Sequence, residues 1–135
     1  MDRILVVESD KATCELLHYL LEGEGYEVSQ AHSYTEALSE VERGRFDLLL
    51  VDITMEEIDG LEMLRRIQSS SNGAVCIVIA GRCSLKTALE AVRHQAADYL
   101  SKPLQDPYEV LMAVQKALAE HKGKQRLKAL SYLYP

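Results

Sequence analysis

Three side chains far apart in this sequence have the types and settings to do chemistry together: Glu8, Asp52 and Lys102. Asp52 closes an apolar run, Phe46-Asp47-Leu48-Leu49-Leu50-Val51, and precedes Ile53-Thr54-Met55-Glu56-Glu57-Ile58-Asp59-Gly60. Glu8, Ser9 and Asp10 follow a second apolar run, Ile4-Leu5-Val6-Val7, and Lys102-Pro103 follow the strand-like Asp98-Tyr99-Leu100. A carboxylate at the end of a buried strand, ahead of a glycine-containing loop, sits where open α/β sheets place their chemistry. If those three strands lie parallel and side by side, acids and a lysine converge on one edge of the sheet. That convergence is the functional hypothesis.

The elements that must bring them together alternate along the chain. Residues 3–8 read as a buried strand, and Asp10 or Ser9 can cap a helix over about 11–22 with Leu16, Leu17, Leu20 and Leu21 on its apolar side. Gly23 and Gly25 stop it, and Tyr26-Glu27-Val28 begins a short strand. Ser33 caps a helix to about Arg43, ended by Gly44. A strand over 46–52 is followed by a helix over 59–69 carrying Leu61, Leu64 and Ile67. Ala74-Val75-Cys76-Ile77-Val78-Ile79-Ala80 is the most continuous apolar run, as a parallel strand covered on both faces requires. A helix over about 84–94, a strand over 97–100 and a last helix from about Pro107 to Glu120 complete the pattern. Five strand–helix repeats joined by short loops imply an α/β fold, with a parallel sheet and right-handed crossovers.

Composition narrows the class. The 135 residues suit one domain with a single core, and 47% hydrophobic with 27% charged residues is ordinary for a soluble protein. No apolar run approaches a membrane span and no signal-peptide pattern opens the chain, so cytoplasmic is the default and no membrane partner is expected. Cys14, Cys76 and Cys83 are odd in number and lack CxxC spacing, so neither a disulfide framework nor a zinc site is indicated. Cys14 and Cys76 read as small apolar side chains, while Cys83 falls in a loop near the acidic site. His18, His32, His94 and His121 are too scattered to form a ligand pair. Residues 1–121 carry 11 basic against 21 acidic side chains, and Lys122, Lys124, Arg126 and Lys128 follow in the tail. An acidic body argues against a nucleic-acid surface on the domain. Residues 1–121 are read as the domain, and 122–135 as a C-terminal extension, a frayed end or a linker toward an output domain.

These residues resemble a family. Ile4-Leu5-Val6-Val7 with acids after it, Asp52-x-x-Met55-x-x-x-Asp59-Gly60 and Asp98-Tyr99-Leu100-x-Lys102-Pro103 are similar to the response-regulator receiver domain of two-component signalling. The likeness runs from about residue 2 to 120 and includes Gly25-Tyr26-Glu27-Val28 and Glu36-Ala37-Leu38. It implies a flavodoxin-like, doubly wound sheet of five parallel strands in order 2-1-3-4-5 with five helices. It also implies a switch rather than an enzyme. A sensor histidine kinase or phosphotransfer protein would phosphorylate Asp52, and Lys102 would match the family lysine. Glu8, Asp52 and the backbone carbonyl of Thr54 would be the ligands of Mg²⁺, an ion that prefers oxygen donors. The cation and the lysine would offset the phosphoryl charge of about −1.5 to −2. Pro103 matches a proline that is usually cis, and Tyr99 matches the family's aromatic switch position. A C-terminal output domain is a further expected partner. So is a second copy, bound through the helix over 84–94, the strand over 97–100 and the final helix.

The sequence departs from that pattern where it matters. Ser9 stands where the family places a direct metal ligand, with Asp10 one position too late. Ala80 replaces the usual Ser or Thr at the end of the fourth strand, and neither Ser84 nor Thr87 obviously substitutes. Glu56 and Gln95 replace a common proline and glycine. A hydroxyl donating to the charged phosphoryl group is worth about 1.5–3 kcal/mol, whereas a full two-state switch needs about 5.5 kcal/mol. Its loss would leave the switch partial. Glu8 reads either as a metal ligand or as a structural acid balancing Lys102, and Ser9 reads as a helix cap. Two functions follow: a working receiver with altered phosphorylation chemistry, or a pseudo-receiver serving as a phosphorylation-independent interaction module. A flavodoxin-like cofactor enzyme is set aside because no phosphate-cradling loop follows the first strand.

Overall fold

Hydrophobic patterning explains the architecture of the computed structural model, which describes residues 1–55, 59–81, 86, 89–90, 93 and 96–133. Five strands, β1 (Arg3–Val7), β2 (Glu27–Ala31), β3 (Leu48–Asp52), β4 (Val75–Ala80) and β5 (Asp98–Ser101), form one sheet. Its order is β2-β1-β3-β4-β5 and every pairing is parallel. The described helices are α1 (Lys11–Gly23), α2 (Tyr34–Arg43), α3 (Gly60–Ser70) and α4 (Pro107–Leu133). The helix expected over about 84–94 lies largely outside the described residues. This is the flavodoxin-like fold in the expected strand order.

The central strands are apolar throughout because both faces are covered. In β3, Leu49 and Val51 pack with α2 and α3, while Leu48 and Leu50 pack with α1 and α4. β4 divides likewise, Cys76, Val78 and Ala80 to one side and Ile77 and Ile79 to the other. This is the period-two alternation of a strand with a core on each face. Cys14 and Cys76 are buried within these cores, and burial pushes their thiols up to about 11 and about 12. That matches their reading as apolar fillers.

Caps fix where the helices begin. Asp10, not Ser9, caps α1: its carboxylate accepts the Thr13 amide at 3.1 Å and the Thr13 hydroxyl at 2.5 Å. Of the two expected caps, Asp10 or Ser9, the aspartate is the one found, and the reading of Ser9 as a cap is corrected. An aspartate one residue nearer the helix reaches the orphan amide three positions on. Ser33 caps α2 and Asp59 caps α3 in the same manner.

The last helix does not stop near Glu120. Val110, Ala113, Val114, Ala117 and Leu118 bury one stripe, after which α4 continues, exposed, through Gly123 to Leu133. Glycine costs a helix interior about 1 kcal/mol. The flanking Lys, Gln, Arg, Leu and Ala residues are good helix formers that offset it. Lys122 also pairs with Asp2 at 2.8 Å. Among the described residues, no helix is long and apolar enough to cross a membrane.

Candidate functional site

Parallel register brings the chemistry together. Val7 pairs with Val51 and Asp52 with Ile79, so the residues that follow β1 and end β3 share one rim of the sheet. Glu8 leaves β1 with its amide donating to the Ala31 carbonyl at 2.9 Å. Ala80 pairs with Ser101 across β4 and β5, and the Lys102 amide donates to the Ala80 carbonyl at 2.8 Å. The Lys102–Pro103 peptide is cis. From there the lysine side chain crosses the end of β4, and its Nζ donates to Asp52 Oδ2 at 2.8 Å and to Glu8 Oε1. Glu8, Asp52 and Lys102 thus meet in one ion-paired cluster.

The two acids differ. Glu8 is fully buried, and its Oε2 has no hydrogen-bond partner among the described residues. Burial, then the hydrogen bond shared with Asp52, pushes its carboxyl up to about 8 despite the lysine. Asp52 is also buried, which works against ionisation. Hydrogen bonds from Glu8, Lys102 and Thr54 outweigh burial and hold its carboxyl at about 2. Burial lowers the Lys102 ammonium, and its hydrogen bonds to Asp52 and Glu8 more than reverse this. Two acids sharing one lysine in a desolvated site cannot both ionise cheaply, so the proton rests on Glu8. Asp52 is the charged member.

The remaining sequence candidates fall around this cluster. Thr54 is exposed, and both its amide (2.8 Å) and its hydroxyl (2.5 Å) donate to Asp52 Oδ1. The role of this hydroxyl was missed in the sequence, although an aspartate followed two residues later by threonine is the signature of a local side-chain turn. Ser9 is exposed. Ala80 is wholly buried at the end of β4, and Tyr99 is half-buried against the core shared with α2 and α3. Cys83, Ser84, Thr87, His94, Gln95 and Glu56 lie outside the described residues. His18 has a local part only, meeting Glu22 at 2.7 Å and Gln30 at 2.8 Å.

Gly60 sits against the backbone of Ile53, next to Asp52. A Cβ there would meet the Ile53 carbonyl oxygen at 1.9 Å, so only glycine lets α3 begin against the backbone next to the acid.

Fold and site together define a class: a flavodoxin-like α/β domain with an acid–lysine cluster at the carboxyl ends of its strands. Comparison with known proteins sharpens this. The sequence matches the response regulator receiver domain family across residues 4–115. It is 40% identical over 116 residues to the transcriptional regulatory protein ZraR of Escherichia coli, covering 86% of this chain and 26% of that protein. It is 33% identical over 128 residues to the alginate biosynthesis transcriptional regulatory protein AlgB of Pseudomonas putida, covering 95% of this chain and 28% of that one. The chain therefore spans about a quarter of the length of these relatives. The crystal structure of a CheY-like receiver domain from Methanospirillum hungatei superposes with a TM-score of 0.85 at 31% identity. It covers 92% of this chain and 98% of that one. The chain belongs to the response-regulator receiver family of two-component signalling. Receivers in general bind Mg²⁺ at an acidic pocket, and response regulators act with histidine kinases and carry C-terminal output domains.

Proposed function

We propose that Asp52 accepts a phosphoryl group from a sensor histidine kinase or phosphotransfer protein, and that the domain relays the event as a conformational switch. The observation that carries this reading is the Lys102 ammonium bridging Asp52 and Glu8 at the sheet rim. A carboxylate held near pKa 2 is ionised at neutral pH and free to act as a nucleophile. An Asp52 oxygen attacks phosphorus, and a new P–O bond forms as the donor's P–N or P–O bond breaks. The leaving group departs with the bonding pair. Lys102 is already hydrogen-bonded to the acid, so its charge is in place as negative charge builds on the transferring group.

The residues present also fit a divalent cation. Glu8 Oε2 is a buried oxygen without a partner among the described residues, beside a second carboxylate. Among the described residues no group of three or more His, Cys, Asp and Glu gathers, so the carboxylate share is two. Glu8, Asp52 and the Thr54 backbone carbonyl would hold Mg²⁺, whose chemistry there is to neutralise phosphoryl charge. The acidic body, the lack of a membrane-spanning helix among the described residues and the family membership support a cytoplasmic switch without nucleic-acid contacts of its own. Residues 1–121 act as the domain, and 122–135 serve as a C-terminal extension or as a linker toward an output domain. Exposed Tyr108 and Met112, with Leu127, Leu130 and Leu133 farther along α4, support pairing with a second copy through β5 and the final helix. Half-buried Tyr99, opposite Val78 across β4 and β5, is the candidate aromatic switch.

Ser9 and Ala80 favour a second reading, a pseudo-receiver that works as an interaction module without phosphate. One experiment separates the two. With millimolar Mg²⁺ and either a small acyl phosphodonor or beryllofluoride, intact mass and amide spectra should register an adduct that Asp52→Asn abolishes. No adduct and unchanged spectra would leave the interaction module.

A further inference from the structure

We propose that the Thr54 hydroxyl is the phosphoryl-binding hydroxyl of this domain, doing from the β3–α3 loop what the Ala80 methyl at the end of β4 cannot. The inference rests on Asp52 being the acceptor and goes one step further, to which side chain holds the group once it has arrived. The two oxygens of Asp52 are held separately. Lys102 takes Oδ2 at 2.8 Å, and Thr54 takes Oδ1 with both its amide (2.8 Å) and its hydroxyl (2.5 Å). Ala80 has no donor to offer. The Ser101 hydroxyl, on the neighbouring strand, is directed at the Lys102 carbonyl. Of the hydroxyls around the acid, only that of Thr54 touches it among the described residues. Thr54 is also exposed.

Charge redistribution dictates what this hydroxyl does next. Before transfer it donates to an ionised carboxylate, a charge-assisted hydrogen bond that fixes the rotamer of Asp52. After transfer the carboxyl group is an acyl phosphate whose own oxygens are poorer acceptors, while the phosphoryl oxygens carry about −1.5 to −2. With phosphorus on Oδ1, these oxygens lie two bonds beyond the atom the hydroxyl already contacts. A threonine hydroxyl swings about a single torsion, so it turns to the phosphoryl oxygen while the Thr54 amide keeps its hold on the carboxyl group. No bond to Thr54 forms or breaks, and the hydroxyl keeps its proton. Thr54 therefore positions Asp52 before transfer and stabilises the phosphoryl group afterwards.

The test compares wild type, Thr54→Val, Thr54→Ser and the double variant Thr54→Val/Ala80→Thr. Each is titrated with beryllofluoride at fixed Mg²⁺, followed by amide spectra, with the decay of the aspartyl phosphate timed by intact mass. One charge-assisted hydrogen bond corresponds to about tenfold or more in affinity. Thr54→Val should weaken beryllofluoride by at least that factor, and Thr54→Ser should return to within about threefold of wild type. Ala80→Thr in the valine background should recover part of the loss by supplying the hydroxyl from the other side. Because Thr54 is exposed, Thr54→Val and Thr54→Ser should melt close to wild type, and the serine rescue separates chemistry from folding. Ala80 is buried, so the double variant is read only once its own melting shows a folded domain. Wild-type binding that Thr54→Val leaves intact would overturn this inference alone. A wild type that takes no adduct would overturn the acceptor reading and this inference with it.

Discussion

Lys102 Nζ lies 2.8 Å from Asp52 Oδ2, although 50 positions separate the two residues. The contact needs the whole sheet. β5 must lie beside β4, β4 beside β3, and all three must run the same way, so that a lysine just past one strand can reach across the end of the next. The same ammonium reaches Glu8, 94 positions away. One cation thus stitches three strand ends, and the fold and the site are a single construction.

Removing that cation should be costly. Lys102→Ala leaves Asp52 and Glu8 buried side by side with no counter-charge. Losing one partner of a fully buried pair costs about 3–5 kcal/mol, and the partial exposure of Lys102 reduces this to about 1–3 kcal/mol. Urea unfolding at neutral pH should register the loss. Adding Asp52→Asn to Lys102→Ala should restore part of it by removing the ionised acid, whereas additive losses would contradict the shared-lysine picture.

Stability should fall as pH rises through the neutral range. The folded-state pKa of Glu8 is raised from 4.5 to about 8, so between these values the folded chain binds a proton the unfolded chain has released. The contribution is fully present below about 4.5 and lost as pH climbs through about 8. Its slope is at most about 1.4 kcal/mol per pH unit. Asp52 acts oppositely, and its contribution disappears only as pH drops from 3.8 toward about 2. Urea melts with chelator at pH 5 and pH 8 should differ in this sense, and Glu8→Gln should flatten the difference. A flat wild-type profile would show Glu8 ionised throughout.

Much of this was legible in the residues. Three apolar runs, at β1, β3 and β4, and the cap at Ser33 fix most of the alternation, because a central parallel strand tolerates no polar interior. The acid at the end of β3, the acid after β1 and the Lys-Pro after β5 each announce themselves by type and place. The cap of α1 was ambiguous, since Ser9 and Asp10 are both good capping residues and only the backbone path decides between them. The run of α4 past Glu120 was hidden by Gly123, whose cost is smaller than the propensity of its neighbours. The unequal protonation of Glu8 and Asp52 was also out of reach, because it depends on burial and on which oxygen each donor meets. So did the Thr54 hydroxyl, a local contact whose meaning appears only beside the Ala80 methyl.

Gly60 should tolerate no side chain. A Cβ at 1.9 Å from the Ile53 carbonyl oxygen and 2.9 Å from Ile53 Cβ forces backbone to move on one side or the other. Overpacking of this sort costs about 1–3 kcal/mol. Gly60→Ala should therefore lower the unfolding free energy by that amount, read as a lower urea midpoint. Its amide spectrum should change at Ile53, Thr54 and the start of α3, next to the acid. An alanine variant as stable as wild type would mean that the loop relaxes freely, and the precision with which Thr54 meets Asp52 would lose its support.

Ser9 offers the converse experiment, a gain of chemistry. The carboxylate share of the proposed cation site is two, from Glu8 and Asp52, and Asp10 is committed to Thr13 at the start of α1. Ser9 lies between Glu8 and Asp10, exposed, and neither caps the helix nor fills the core. Ser9→Asp adds one carboxylate at that rim without displacing a packed group. Affinity for hard cations rises with the number of charged oxygen ligands. Mg²⁺ should therefore bind about tenfold tighter, equivalent to about 1.4 kcal/mol. Calorimetric titration of Mg²⁺ into wild type and variant gives the comparison, and Glu8→Gln in the variant should remove the gain. An affinity unmoved by the new carboxylate would mean that residue 9 faces away from the acids, and that the wild-type domain meets its cation with Glu8 and Asp52 alone.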